Sequence, residues 1–135
     1  MAAVMKDLIL RRARLADGSV TDLAVQDGRI AALGTLPETM TAEKSVDLAG
    51  RVYLSAGWID SHVHCYPASP IYHDEPDRVG IDGGVTTVVD AGSTGADQVG
   101  DFHRLTRTAR TRVLALLNIA RTGIVTQNEL ADMAQ

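Results

Sequence analysis

In the first part of this chain, up to Ser55, short apolar runs are separated by clusters of turn-forming residues. Asp7 to Leu15 reads as a strand that stops at Ala16-Asp17-Gly18-Ser19. Asp22 to Gln26 and Arg29 to Gly34 flank Asp27-Gly28, a pair suited to a type I′ hairpin turn, where both central residues need positive φ. Ser45 to Leu48 and Arg51 to Leu54 flank Ala49-Gly50 in the same way and predict a further hairpin. Together these runs predict a small antiparallel sheet or half of a sandwich.

After Ser55 the pattern changes. Gly57 to His64 predicts a strand that ends in histidines. Asp74 to Gly84 predicts a short helix or helical turn, with Glu75-Pro76 at its start and Gly83-Gly84 at its end. Val85 to Asp90 is dense in β-branched residues and predicts a buried strand. Ala96 to Arg110 has helical length, with Val99, Phe102 and Leu105 expected to face a core. Arg112 to Ala120 is nearly continuous in apolar residues, as a strand buried on both faces would be. From Thr126 the sequence reads as the start of another helix. Strand, helix, strand, helix, strand argues for right-handed βαβ units and a parallel sheet. The expected division is residues 1–55, an N-terminal β part, and residues 56–135, an α/β part.

Composition narrows the partners. The chain has 135 residues, 45% apolar and 22% charged, with a net charge of −4. No basic stripe stands out, so nucleic acid is not an expected partner. Asp7, Arg11, Arg12, Arg14, Asp17, Asp22 and Asp27 break up the first thirty residues, and neither a signal peptide nor a membrane span is expected. The single cysteine, Cys65, cannot form an internal disulfide, which fits a reducing, cytoplasmic setting.

The candidate chemistry centres on His62-Val63-His64. On a strand, side chains at i and i+2 share a face, so both imidazoles point to one place. Neutral imidazole suits zinc and similar divalent ions. The pair closes a strand in a parallel pattern, and the C-terminal ends of such strands are where active sites collect. The competing reading is two polar residues at a strand edge, satisfied by backbone and water. Asp60, on the same face but deeper, reads as a structural carboxylate more readily than as a ligand. Asp90 and Asn118, near the ends of the next two strands, each suit either a pocket mouth or a turn. Cys65 reads as a small apolar residue rather than a soft ligand. Gly92-Ser93-Thr94-Gly95 matches no phosphate-loop pattern and reads as a loop with a helix N-cap.

GWIDSHVH after a small β segment, followed by GGVTTVVDAGS, resembles the amidohydrolase superfamily of metal-dependent hydrolases. ARTRVLALLNIARTGIV and QNELADM extend the resemblance to its amidohydrolase/deacetylase branch, relatives of the dihydroorotases. The resemblance covers nearly the whole chain, which looks like the N-terminal third of such a protein. It implies an α/β fold: the first three strands of a (β/α)8 TIM-type barrel, preceded by strands of a small β-sandwich. It also implies that His62 and His64 bind a divalent metal, with zinc expected and one or two ions in the complete site. The activity implied is hydrolysis of an amide, cyclic amide, N-acyl or related ester bond of a small molecule by metal-activated water. Oligomeric state is left open, with a homo-oligomer among the states allowed.

The sequence departs from the family pattern in three ways. Ala56 stands where members usually have proline before the first strand's glycine. Tyr66 stands where dihydroorotases usually carry the arginine that holds the substrate carboxylate. The family's bridging lysine has no counterpart, since Lys6 and Lys44 both lie in the N-terminal β part, and His73 and His103 fall in a loop and on a helix. No catalytic residue is therefore assigned within this chain, and further ligands and the general base are expected beyond its end. A non-catalytic interaction homologue and an inactive truncated product are the alternatives.

Overall fold

A computed structural model describes residues 5–126. The chain divides into two compact units, Met1–Ala56 and Gly57–Gln135, and its architecture is mixed α/β.

The first unit is a four-stranded sheet built from β1 (Lys6–Arg14), β2 (Val20–Gln26), β3 (Arg29–Gly34) and β4 (Ala42–Asp47), in the order β3-β2-β1-β4. Its β2–β3 turn has the expected geometry, with φ of 51° at Asp27 and 68° at Gly28. Ile9, Ala24 and Leu36 are buried together, with Ala32, Met40 and Ala42 packed around them.

The expected hairpin around Ala49-Gly50 does not form, and the sheet is mixed rather than antiparallel. β4 runs parallel to β1, from Lys6 opposite Ala42 to Arg11 opposite Asp47. β1 also carries a bulge, where its pairing with β2 shifts register between Leu10 and Ala13. Arg12, in that bulge, takes a left-handed conformation at φ 54°, and its carbonyl accepts the Gly50 N–H at 2.8 Å. The turn residues are thus bonded to β1. The chain beyond them follows β1 as a single bridge, Arg14 to Tyr53, instead of folding back on β4.

The second unit contains the expected parallel sheet, in the order β5 (Trp58–Val63), β6 (Val85–Ala91), β7 (Arg112–Leu116). α1 (Pro76–Val79) and a 3-10 turn (Ile81–Gly83) connect β5 to β6, with Pro76 in the first turn as expected. α2 (Val99–Thr106) connects β6 to β7. Cys65, Tyr66, Val88 and Phe102 form the core, joined by Val63, Val79, Val85 and Val113. Phe102 carries α2 onto the sheet, its ring meeting Tyr66 edge to face at 5.7 Å.

Three expectations are corrected in this unit. α2 is shorter than residues 96–110, because the residues ahead of it are committed to loop contacts: the Asp97 N–H donates to the Arg121 carbonyl at 3.1 Å. Val99, at its first turn, is exposed rather than core-facing. The strand expected over Arg112 to Ala120 stops at Leu116 and is not buried on both faces. β7 is an edge strand, and only its Val113 face meets the core, so Leu114 and Leu116 on the other face are exposed. An apolar run records what a strand is fit to bury, not whether the cover lies in the same chain. Beyond Thr126 itself, the helix expected from that residue and the QNELADM match lie outside the described residues.

Candidate metal centre

His62 lies near the C-terminal end of β5, and His64 follows the strand's last residue. Val63 between them packs against the core, so the two imidazoles take the opposite face. Their ring centroids are 5.6 Å apart, with planes at 85°. His62 is exposed and His64 half-buried. The ring of Tyr72 stacks on His64 at 5.2 Å and 23°. Tyr72 itself sits at φ 52°, an unusual conformation for a residue of its size and a local strain beside the histidines.

The residue that sequence reasoning passed over is Ser93. Its Oγ lies 3.0 Å from His64 Nδ1 and donates to Asp90 Oδ2 at 2.8 Å. The Ser93 N–H donates to Asp90 Oδ1 at 2.7 Å, and the Cys65 N–H donates to Asp90 Oδ2 at 2.8 Å. Asp90 and Ser93 are both buried. Of the two roles left open for Asp90, this is the turn-organising one. A readable signal existed in the Asp-x-x-Ser spacing directly after a strand, where an aspartate can bond forward to its own turn.

The other candidates divide clearly. Asp60 Oδ1 accepts the His62 N–H at 3.0 Å, a structural bond to the strand's own backbone. Cys65 is buried, and burial, together with the nearby Asp90 carboxylate, pushes its thiol up to about 12, so it offers no thiolate near neutrality. The Tyr66 hydroxyl donates to Asp101 at 3.0 Å, and its ring lies in the core. Asn118 ties the loops after β6 and β7 together, donating to the Gly92 carbonyl at 2.9 Å while its own N–H reaches the Thr94 carbonyl at 2.9 Å. His73 lies in the loop after β5 and His103 on α2, both exposed.

Gly92–Gly95 is not a helix cap. The N-cap position of α2 is Gln98, with no side-chain capping bond. The glycine loop instead packs against the segment after β7 so closely that a Cβ on Gly95 would lie 2.1 Å from the Ala120 carbonyl oxygen. That close packing keeps Ser93 beneath His64.

The donor set fits part of a divalent-metal site. Imidazole nitrogens bind zinc at about 2.0–2.1 Å, and two rings on a shared strand face are a common way to supply two of its ligands. Zinc hydrolase sites use three or more protein ligands, and among the described residues no group of three His, Cys, Asp or Glu side chains is assembled. The two imidazoles would supply two of the ligands such a site needs. A separate cleft of about 560 Å³ in the first unit, lined by Arg11, Arg12, Asp22 and Asp47 among others, offers no comparable chemistry. Its guanidinium groups are engaged, Arg11 by Asp22 and the Leu36 carbonyl, Arg12 by Asp47.

No protein-family model matches the chain. A deacetylase of Enterococcus faecalis is 40% identical over 129 residues, which cover 96% of this chain and 35% of that protein. The crystal structure of an adenine deaminase aligns with a TM-score of 0.79 at 41% identity, over 94% of this chain and 34% of the other. The crystal structure of a dihydroorotase aligns with a TM-score of 0.78 at 33% identity, over 93% of this chain and 35% of the other. The chain thus spans about a third of the length of the relatives it matches. In sequence and in fold it is similar to deacetylases, an adenine deaminase and dihydroorotases, with its structural neighbours in the amidohydrolase superfamily.

Proposed function

We propose that the protein acts as a metal-dependent hydrolase on a small molecule, cleaving an amide, cyclic amide, N-acyl or related ester bond, with His62 and His64 holding one divalent ion, zinc by preference. The observation that carries this reading is the pair of imidazoles on one face of β5, at the C-terminal edge of a parallel sheet. That sheet would be the first three strands of a (β/α)8 barrel, and the first unit part of an appended β-sandwich. The exposed Leu114 and Leu116 would be covered by its further strands.

Within the chain, each residue's part follows from its contacts. His62 and His64 supply two nitrogen ligands. The hydrogen bond between Ser93 Oγ and Nδ1 and the stacked Tyr72 ring hold the His64 imidazole in one orientation. A divalent ion held by these nitrogens would supply Lewis acidity, making water more acidic and the scissile carbonyl more electrophilic. Removal of the water's proton is assigned to no residue of this chain. Tyr66, committed to Asp101 and the core, does not anchor a carboxylate as a bidentate arginine would, which argues against dihydroorotate as substrate. The test is a panel of N-acyl amino compounds, cyclic amides, acetylated hydroxy acids and dihydroorotate, with and without a chelator. Turnover that is lost to the chelator and restored by zinc is expected for one of the first three classes. Turnover indifferent to chelation would refute the reading.

A further inference from the structure

We propose that Ser93, itself oriented by Asp90, fixes the tautomer of His64, so that Nδ1 carries the proton and Nε2 presents its lone pair. The hydrogens available at this corner decide it. Ser93 Oγ has one hydrogen and two polar neighbours, Asp90 Oδ2 at 2.8 Å and His64 Nδ1 at 3.0 Å. Asp90 is fully buried, and its two oxygens also take the Cys65 and Ser93 N–H groups.

If the hydroxyl hydrogen turned to His64, two oxygen lone pairs would face each other at 2.8 Å between two buried side chains. The carboxylate would lose a charge-assisted bond, about twice as strong as the neutral one gained. The hydrogen therefore goes to Asp90, and Ser93 Oγ becomes an acceptor for His64. Only an Nδ1–H can donate to it. A half-turn of the ring would put carbon against Ser93 Oγ and break the bond, so orientation and tautomer are set together.

Ser93 and Asp90 are in this sense positioning residues for His64. The tautomer stands on these contacts alone. Its consequence, a nitrogen made ready for a divalent ion, rests on the reading of the histidine pair as a metal site.

The test uses the full protein with ¹⁵N-labelled histidine. Two-bond ¹H–¹⁵N correlation spectra of the metal-free protein show which ring nitrogen is protonated, and zinc affinity is read by competition with a chromophoric chelator. Wild-type His64 is expected as the Nδ1–H form. In Ser93→Ala the ring should average between tautomers, and zinc should bind 10–100-fold more weakly. Ser93→Thr, which restores a hydroxyl, should recover both signals. Ser93→Ala keeps the backbone bonds from Ser93 N–H to Asp90 and from Ile124 N–H to the Ser93 carbonyl, so the loop retains its ties.

An Nε2–H form of His64 in the wild type would overturn the proposal, and that spectrum needs no variant. An unchanged tautomer in Ser93→Ala would overturn it equally. His62→Ala separates the two readings: if it leaves zinc affinity unchanged, the metal site fails, while the metal-free spectrum still decides the tautomer.

Discussion

Replacing Asp90 with asparagine keeps the volume of the side chain and removes its charge. The carboxylate accepts from the Cys65 N–H, the Ser93 N–H and the Ser93 hydroxyl at 2.7 to 2.8 Å. The better amide orientation turns its oxygen to Cys65 and the hydroxyl, which leaves its NH2 group against the Ser93 N–H. Two bonds then fall from charged to neutral strength, and one buried donor loses its partner. A hydrogen bond to a charged group is worth about 1.5–3 kcal/mol against about 1 for a neutral one, and an unsatisfied buried donor costs about 1–3 kcal/mol. The neutral amide also escapes the desolvation of a buried charge, which works the other way. The net loss is about 2–4 kcal/mol, concentrated where β5 and β6 end. Native-state hydrogen exchange reads it locally, since the Cys65 and Ser93 amides are the two that Asp90 protects. Their exchange should accelerate by about 30- to 1,000-fold, at 1.4 kcal/mol per tenfold, while amides of β2 in the other unit stay unchanged. Unaltered exchange at both positions would refute the picture of Asp90 as the hub of this corner.

Three further outcomes are expected. Gly95→Ala forces a Cβ to within 2.1 Å of the Ala120 carbonyl and should lower the urea midpoint by about 1–3 kcal/mol equivalent or more, whereas Gly100→Ala on α2, where nothing lies within 4 Å, should raise it by up to about 1 kcal/mol. Cys65, with its thiol pushed up to about 12 by burial and then by Asp90, should resist alkylation at pH 8 in the native protein and react fully once unfolded, as mass spectrometry would record. The Thr111 N–H, with Arg110 adding to it, holds the Asp77 carboxyl down at about 2, so its contribution to stability is present above the ordinary carboxylate range and lost as pH falls from about 4 to 2. The stability gap between wild type and Asp77→Asn should therefore be constant above about pH 5 and close over that acid range in pH-dependent unfolding.

Local chemistry was the legible part of the sequence. Asp27-Gly28 specifies its own turn, because few residues other than glycine and asparagine or aspartate tolerate two successive positive φ values. Spacing of i and i+2 on a strand places His62 and His64 on one face without reference to the rest of the chain. The parallel order β5-β6-β7 follows from strands separated by helices. What the sequence hid was long-range. Ala49-Gly50 is a turn, as read, with φ of 53° and 71°, but it is bonded to β1, and the chain afterwards follows β1 instead of folding back on β4. Ser93 is separated from His64 by 29 residues, and nothing in a Gly-Ser-Thr-Gly stretch indicates which histidine it will meet. Val99 fits a helical period, yet the bonds of Asp97 and Gln98 start the helix so late that its first turn faces solvent.

Whether His62 and His64 hold a metal ion is read by elemental analysis of the purified full protein beside its His62→Ala/His64→Ala variant. The wild type should carry about one to two divalent ions per chain, as hydrolytic sites of this kind do, with zinc the principal one. The double variant, with its fold verified by circular dichroism, should carry none of the ion these histidines hold. Equal zinc content in the two proteins would contradict the account and return the histidines to the role of polar residues at a strand's end.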